Sequence, residues 1–536
     1  MNDQGGQKTM IFVIFFLTTF AILLSQGQDT SEEQTDKYLS DRPHLAASPR
    51  DNELAEYVKT KFEEAGFDSS ELVPYNIIRI RLTLDMNGET IFESHFREEP
   101  IHEGDDDPDF IHAFNAFTPA GTVSTEPGVG VVYVNYGQIE DFERLAELGI
   151  NVSGHIVIVR YGEIFRGNKV YHAEKFGAKG IIIFSDPEDV AAEGISPEDV
   201  YDNSWWLPGT GVQRGSTYLG SGDSLTPGWP STEHAYRLTE DEANLPNIPC
   251  QPIGYADAIE ILKRLDGPVA PEDWQGGYPN FTYKLGPSFN SQNGSVSLTL
   301  STHNSGKVEK SYNVIGIIKG CIEPDRYVLF GNHRDAWGYG TMDPSSATAQ
   351  MLETARVLGT FLKEGWRPRR TIIFCSWGAE EFGIIGSTEW VEENVDKLQS
   401  RAVGYINSDT CSVGPELSVM ASPLMQDLFL DVSKLIPGVK DSSKTLFEEW
   451  REYTERTNPN AKEHPVIFSL GSGTDHAPFS FYAGIPSTMF YFIRLFPAYT
   501  GYETFYMLTA FIDPEFKIHE GCGRLSILGV KYLADS

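Results

Sequence analysis

Four residues that can bind metal ions each come shortly after a short apolar run typical of a buried strand. The runs and the residues that follow them are 327–330 with His333 and Asp343, 371–374 with Glu381, and 403–406 with Asp409. In open α/β sheets, ligands bind beyond the carboxyl ends of the strands, so we expect these side chains to converge. Imidazole together with carboxylates is a ligand set that zinc accepts. The pattern predicts a two-metal centre that holds a hydroxide between two cations and polarises a peptide carbonyl.

Two further carboxylates have predicted roles at this centre. Glu380 precedes Glu381, and a carboxylate beside activated water is well placed to act as general base and to pass the proton to the leaving amine. Asp335 lies two residues after His333 and can accept the other ring N–H of that histidine, which fixes its tautomer. Any one of these residues alone is more often a solvated carboxylate or an ordinary histidine. The prediction therefore rests on the whole set.

The elements that position these residues indicate an α/β fold. From Tyr312 onward, continuous apolar strands alternate with helix patterns at 345–363 and 388–398, which is typical of a doubly wound, mostly parallel sheet. A helix pattern at 52–66 has no strands of its own nearby, and we assign it to the same domain. Residues 75–305 change to short alternating runs broken by Gly and Pro, which indicates a β-rich insertion. The predicted units are a peptidase-type domain over 51–74 and 306–536 and an inserted domain over 75–305.

Composition excludes several classes of function. The chain has 536 residues, a length typical of more than one domain. The formal net charge of 42 − 76 = −34 repels phosphate backbones, so we expect no nucleic-acid partner. The five cysteines show no CxxC spacing, so neither a zinc ribbon nor a dense disulfide framework is predicted.

The N-terminus predicts entry into the secretory pathway. Residues 10–24 are apolar apart from two threonines and are preceded by Lys8, so residues 1–28 are expected to be a signal peptide or an uncleaved signal-anchor. The polar residues 29–50 are expected to form a stalk. Three Asn-x-Ser/Thr sequons fit a chain in the secretory lumen, and they begin at Asn151, Asn280 and Asn293. The predicted location is the cell membrane, as a single-pass type II protein with an extracellular body, or the extracellular space.

Several longer motifs resemble the glutamate carboxypeptidase II family, also known as N-acetylated alpha-linked acidic dipeptidases. They are GNHRDAWGYGTMDP (331–344), KEGWRPRRTIIFCSWGAEEFGIIGSTEW (363–390), YINSD (405–409), LGSGTDHAPF (470–479), RYGEIFRGNKV (160–170), LPGTGVQRG (207–215) and LTPGWP (225–230). The resemblance covers nearly the whole chain. It implies a di-zinc exopeptidase domain interrupted by a protease-associated apical domain, together with a C-terminal helical dimerisation domain.

The resemblance also implies roles for individual residues. His333 and Asp409 would hold one zinc, Asp343 would bridge, Glu381 would serve the other zinc, and Glu380 would be the general base. Arg166 would grip the C-terminal carboxylate of the substrate, with Tyr499 and Ser216 as further substrate-binding positions. A structural calcium would be bound by Thr226, by the backbone of Trp229, and by Glu389 and Glu392, which supply the hard oxygen ligands that calcium prefers.

The sequence departs from the family pattern at three places. The segment 497–504 is one residue short, and the second histidine ligand of the family has no counterpart there, so the second zinc site is expected to be weakened. His476 and Tyr499 are the residues that could substitute. The arginine patch for acidic side chains is replaced near Ser418, Met489 and Tyr491. The chain ends at Ser536, so the helical domain is expected to be absent and a homodimer is not expected.

Three functions follow from these observations. The first is a zinc-dependent carboxypeptidase or dipeptidase that acts on small extracellular peptides. The second is a pseudo-peptidase that acts as a receptor or scaffold, as in the transferrin receptor, to which the architecture is more distantly similar. The third is an aminopeptidase of the same superfamily, which would bind a free amine through an acidic group instead of a carboxylate through Arg166.

Overall fold

The computed structural model describes residues 31–81, 94–95, 97–102, 110, 112–125, 128–290, 297–458, 463–493 and 499–536. Its helices are α1 (Ser31–Leu39), α2 (Pro49–Ala65), α3 (Ile139–Glu147), α4 (Arg166–Lys175), α5 (Pro187–Val190), α6 (Tyr255–Leu262), α7 (Ser346–Lys363), α8 (Ile385–Arg401), α9 (Gln426–Val432), α10 (Leu446–Thr457), α11 (Phe505–Met507) and α12 (Lys517–Asp535). Its strands are β1 (Ser69–Arg81), β2 (Asn115–Ala116), β3 (Gly121–Ser124), β4 (Val131–Tyr133), β5 (Ile156–Arg160), β6 (Gly180–Phe184), β7 (Gly215–Ser216), β8 (Cys250–Ile253), β9 (Thr299–Thr302), β10 (Ser305–Ile318), β11 (Glu323–His333), β12 (Arg370–Trp377), β13 (Ala402–Asn407), β14 (Glu416–Ala421) and β15 (Ser487–Ile493).

A seven-stranded sheet in the order β1-β10-β12-β11-β13-β15-β14 organises the larger domain. The four strands β12, β11, β13 and β15 run parallel, and antiparallel strands flank them on both sides. Their cores are buried because helices cover both faces, which explains the continuous apolar runs in the sequence. The predicted α/β class with a doubly wound, largely parallel sheet is confirmed.

Helices α2, α7 and α12 pack on one face of this sheet, and α8 packs on the other. On the first face, the Phe62 ring of α2 stacks on Phe67 at 5.0 Å and meets Phe374 of β12 edge-on at 5.7 Å. Helix α2 ends where Gly66 adopts a left-handed conformation with φ 84°, which glycine reaches without steric cost. The helix expected at 52–66 therefore packs on the main sheet.

A second sheet of four parallel strands, β4-β5-β6-β8, forms the core of the inserted domain together with α3, α4 and α6. The long antiparallel pair β1 and β10 connects it to the main sheet, with Ser69 opposite Ile317 at one end and Arg81 opposite Ser305 at the other. The predicted boundaries at 74/75 and 305/306 therefore cut through these two strands. The parallel sheet gives the insertion α/β character, because its strands are buried on both faces.

Residues 31–50 do not form the extended stalk that their polar composition predicted. They include α1, and Leu39, His44 and Ala46 are fully or almost fully buried against the larger domain. The polar residues here have partners, since Asp36 lies 3.3 Å from Nε2 of the buried His519 in α12. Paired polar groups can be buried at little cost, which the composition alone does not reveal.

The predicted signal segment 1–28 lies outside the described residues. Among the helices of the described part, none is both long enough and apolar enough to cross a membrane. A disulfide joins Cys411, in the loop after β13, to Cys522 of α12, with a Cα–Cα distance of 6.1 Å. Disulfides of this kind persist in oxidising compartments.

Candidate metal centre

His333 occupies the last position of β11, at the centre of the carboxyl edge of the sheet. Its Nε2 lies 3.1 Å from Oδ1 of Asp343 and 3.5 Å from Oδ1 of Asp409. Ligand atoms of these three residues all lie within 4.8 Å of one another. The neighbouring strands β11 and β13 thus bring three of the four predicted ligands together.

The backbone of Asp335 orients the imidazole of His333. Nδ1 lies 3.0 Å from the carbonyl oxygen of Asp335, and because a carbonyl can only accept, Nδ1 must carry the proton. Nε2 is then the nitrogen available to a metal ion. Asp335 is thus the acceptor of the ring N–H, as predicted, but through its carbonyl oxygen, since its carboxylate Oδ1 lies 4.0 Å from Nδ1.

The carboxylate of Asp335 instead shapes the turn that carries the glutamates. Its Oδ1 accepts the backbone N–H of Glu380 at 2.9 Å, and its Oδ2 accepts that of Glu381 at 3.3 Å. In the same turn, Ala379 adopts a left-handed backbone with φ 57°, a conformation that a side chain disfavours. Asp335 therefore links the loop after β11 to the loop after β12.

The buried carboxylates of this site fit a cation-binding centre. One oxygen each of Asp343 and Glu381 is buried without a hydrogen-bond partner. Burial raises the pKa of Glu380, Glu381 and Asp343, and the surrounding carboxylates raise the pKa values further. Burial also opposes the charge of Asp409, but its contacts with His333 outweigh burial and lower the pKa of Asp409. Buried negative charges of this density require positive partners, which metal ions supply.

Asp343 is held by a buried glutamate that the sequence analysis did not single out. Oε1 of Glu503 accepts the backbone N–H of Asp343 at 2.6 Å and that of Met342 at 3.2 Å, while Oε2 accepts the backbone N–H of Tyr499 at 3.0 Å. Burial and the nearby Asp343 raise the pKa of Glu503 to about 8. One side chain thereby joins the Asp343 loop to the loop of Tyr499.

Of the predicted substrate-binding residues, Arg166 and Tyr499 lie beside this centre. The Arg166 guanidinium lies 5.3 Å from the ring centre of Tyr499, and the Tyr499 hydroxyl hydrogen-bonds Asp343. Arg166 covers Gly215, where a Cβ would lie 2.3 Å from the guanidinium carbon, so a larger residue at that position would displace the guanidinium. The Ser216 hydroxyl is buried and accepts the backbone N–H of Tyr218 at 3.1 Å.

His476 keeps one ring nitrogen free beside this arrangement, because its buried Nδ1 has no hydrogen-bond partner, and its substitution for a histidine ligand stays a prediction. Its Nε2 lies 2.6 Å from the carbonyl oxygen of Gly471, although the ring is close enough to Asp409 to lower the pKa of that carboxyl. Tyr499 contacts Asp343 through its hydroxyl. That the chain lacks a second histidine ligand stays a prediction.

Two family models match the chain: residues 313–528 match Peptidase family M28, and residues 119–218 match the PA domain. The chain is 39% identical over 525 residues to the mouse (Mus musculus) protein named aminopeptidase NAALADL1. The match covers 93% of this chain and 70% of that protein. It is 37% identical over 536 residues to a Caenorhabditis briggsae protein named glutamate carboxypeptidase 2 homolog. That match covers 94% of this chain and 68% of that protein. The chain belongs to the glutamate carboxypeptidase II group of the M28 peptidases.

A solved structure of similar fold is BSAP, a zinc aminopeptidase from Bacillus subtilis, with a TM-score of 0.54, 18% identity, and coverage of 94% of this chain and 95% of that one. At this identity the similarity shows the fold alone. As a member of the M28 family, the protein is a zinc-dependent exopeptidase with a PA domain inserted into its peptidase domain, and the predicted enzyme class is confirmed.

The residues expected to bind calcium in this M28 peptidase also come together. Burial raises the pKa of Glu389 of α8 to about 9, with a further increase from Glu392, and burial raises the pKa of Glu392 to about 7, with a further increase from Asp223. Oγ1 of Thr226 and Oε2 of Glu392 are buried without partners. The Glu389 carboxylate accepts backbone N–H groups of Asp223 and Ser231, so it already has polar contacts.

Two of the three predicted glycosylation sites can be examined. Asn151, in the loop before β5, and Asn280, in the loop after α6, are both exposed. Asn293 lies outside the described residues. Exposure is required for modification, and glycosylation itself stays a prediction.

Proposed function

We propose that this M28 peptidase is a carboxypeptidase that binds the free C-terminal carboxylate of small extracellular peptides through Arg166. The supporting observation is the position of the guanidinium, which lies against Tyr499, while Tyr499 in turn bonds Asp343 of the metal centre. Nε of Arg166 is buried without a partner, so a donor is available. A guanidinium fork suits a carboxylate, whereas it repels the free amine on which an aminopeptidase acts.

The chain's own residues then perform three tasks. Arg166 orients the substrate so that the last peptide bond faces the metal centre. Glu380, held by the backbone contact to Asp335, takes a proton from the attacking water and passes it to the leaving amine nitrogen. Zinc bound by His333, Asp343, Glu381 and Asp409 would supply Lewis-acid polarisation of the carbonyl.

The number of metal ions is part of the proposal. We infer two zinc ions, with Asp343 shared between them, and one structural calcium at Thr226, Trp229, Glu389 and Glu392. The unpartnered oxygens of Asp343 and Glu381 support the zinc ions, and those of Thr226 and Glu392 support the calcium. Metal analysis of the purified protein should give two zinc ions and one calcium per chain. Glu381→Gln should reduce zinc toward one, and Glu392→Gln should remove calcium and leave zinc unchanged.

The proposed location is outside the cytosol. The Cys411–Cys522 disulfide and the exposed Asn151 and Asn280 sequons support it. Expression in a secretory host, followed by glycosidase treatment and mass measurement, tests this location. An unmodified, fully reduced protein from the medium would contradict it.

The end of the peptide that is cleaved can be decided with matched substrates. N-acetylated dipeptides have a free carboxylate and no free amine, and dipeptide amides have the reverse. We expect hydrolysis of the first and little of the second, and Arg166→Ala should lower kcat/KM for the N-acetylated dipeptides by at least about thirtyfold, the loss of one charged hydrogen-bonding partner. The mouse relative is named an aminopeptidase, so the opposite preference is the second candidate. Cleavage of dipeptide amides with no effect of Arg166→Ala would establish it.

A further inference from the structure

A buried ion pair connects the inserted domain to the loop of Tyr499. Arg214, immediately before Gly215, is fully buried, and the side chain of Glu98 is 4% exposed. The two form a bidentate pair, with Arg214 Nη1 at 2.7 Å from Glu98 Oε1 and Arg214 Nη2 at 2.8 Å from Glu98 Oε2. Paired guanidinium and carboxylate forks fix orientation as well as distance.

The same pair holds the backbone of the Tyr499 loop at two points. Glu98 Oε1 also accepts the backbone N–H of Gly501 at 2.9 Å, and the backbone N–H of Arg214 donates to the carbonyl of Tyr499 at 3.2 Å. Tyr499 has a left-handed backbone with φ 66°, which a tyrosine does not adopt without support from its surroundings. The ion pair and Glu503 together provide that support.

The pair also lies next to the backbone segment against which the Arg166 side chain packs. Arg214 is followed by Gly215, against which the Arg166 guanidinium packs. The Arg214 guanidinium itself lies 4.7 Å from the ring centre of Phe110, so it is enclosed and cannot reorient freely. The Glu98–Arg214 pair therefore fixes the backbone next to both residues: Gly215 beside Arg166, and Gly501 in the loop of Tyr499. In this way it determines the distance between Arg166 and Tyr499.

We propose that Glu98 and Arg214 are positioning residues that fix the Arg166 guanidinium relative to Tyr499 and the metal centre, and so set the affinity for a substrate's free carboxylate. This inference rests on the proposed carboxypeptidase function. Neither residue contacts the substrate. Their effect is transmitted through Gly215 to Arg166 and through Gly501 to Tyr499.

The test is a double-mutant cycle on the full chain with Glu98→Gln and Arg166→Ala, assayed on N-acetylated dipeptides and on the same peptides as C-terminal amides. Glu98→Gln should raise KM for the free acids at least tenfold, leave kcat within about threefold, and leave KM for the amides within about twofold. In the Arg166→Ala background, the effect of Glu98→Gln on KM should fall below twofold, because the residue through which it acts is gone.

The matched control is Glu188→Gln, which breaks the 2.6 Å pair with the buried Arg160 inside the inserted domain. It should leave KM for both substrate forms unchanged. Circular dichroism melting of every variant monitors folding. Should Glu98→Gln fail to fold, Glu98→Asp retains the charge with a shorter side chain, and it should raise KM for the free acids by two- to fivefold.

Different outcomes separate this inference from the proposed function. An equal increase in KM for the free acids and the amides would mean that the pair only stabilises the fold. An undiminished effect of Glu98→Gln on KM in the Arg166→Ala background would mean the same. Either result would overturn the inference. If Arg166→Ala alone has no effect on the free acids, the proposed carboxypeptidase function fails instead. An unchanged KM in folded Glu98→Asp and Glu98→Gln variants would also refute the positioning role.

Discussion

Removal of the Cys411–Cys522 disulfide should destabilise the peptidase domain strongly while leaving the native metal centre in place. The two cysteines are 111 residues apart, and closing a loop of that length lowers the entropy of the unfolded chain by an amount worth about 5 kcal/mol at 25 °C. Measured disulfide contributions are usually lower, so we expect a loss of about 2 to 5 kcal/mol for the Cys411→Ser/Cys522→Ser variant. That loss is a large part of the free energy of unfolding of a typical domain.

The native loop should nevertheless keep its shape without the disulfide. The backbone N–H groups of Cys411 and Ser412 both donate to Oγ of Ser346, at 3.0 and 3.2 Å, and Asp409 lies two residues before Cys411. These hydrogen bonds do not depend on the sulfur atoms. Zinc content and specific activity at 25 °C should therefore stay within about twofold of the wild type.

Urea unfolding under non-reducing conditions measures the loss of stability, and hydrogen exchange of α12 and the 409–412 loop locates it. Cys321→Ser, which changes an exposed free thiol, is the matched control and should leave the urea midpoint unchanged. Dithiothreitol should shift the wild type to the midpoint of the double variant. An unchanged midpoint in the double variant, or loss of zinc from the folded variant, would refute this reasoning.

Other predictions concern the base, the metal and a buried histidine. Glu380→Gln should lower kcat by about 10² to 10⁴ with zinc content unchanged, measured by steady-state kinetics and metal analysis; retention of activity would exclude it as the base. Chelation should abolish activity and lower the melting temperature, and zinc should restore both. Burial opposes the charge of His519, but Asp36 and Asp513 outweigh it and raise its pKa to about 10. Because the unfolded state loses this proton near pH 6.5, the stabilisation is complete below that pH and is lost as pH rises towards 10. Urea unfolding at pH 6 and pH 9 should show a decline in stability that is larger in the wild type than in His519→Gln by an amount of the order of a few kcal/mol.

The sequence predicts the sheet and its ligands because both depend on local patterns. The three runs that precede the ligands lie within β11, β12 and β13, and these strands are neighbours in the sheet. Parallel strands end at one edge, so residues that follow them meet there whatever their separation in sequence. This is why His333, Asp343 and Asp409 could be placed together without a structure.

The sequence contains no comparable local pattern for contacts between distant segments. Glu98 belongs to an acidic stretch and Arg214 follows it by 116 residues, so nothing in either segment marks them as partners. The same holds for Asp36 and His519, which turn a polar N-terminal segment into a packed one. For Asp335, the sequence placed the residue correctly beside His333 but could not distinguish its carbonyl from its carboxylate as the acceptor.

In the proposed carboxypeptidase, the distance between Arg166 and the metal centre would limit the length of the released product. One tyrosine side chain spans the gap, since its ring centre lies 5.3 Å from the Arg166 guanidinium and its hydroxyl bonds Asp343. Extended peptide advances about 3.3 to 3.6 Å per residue, so in the proposed carboxypeptidase a carboxylate held by Arg166 would place the first or second peptide bond from the C-terminus at the metal centre. Longer products would need the guanidinium to move away from Tyr499. The contacts made by Glu98, Arg214 and Glu503 oppose that movement, and in the proposed carboxypeptidase they would therefore favour the release of one or two residues.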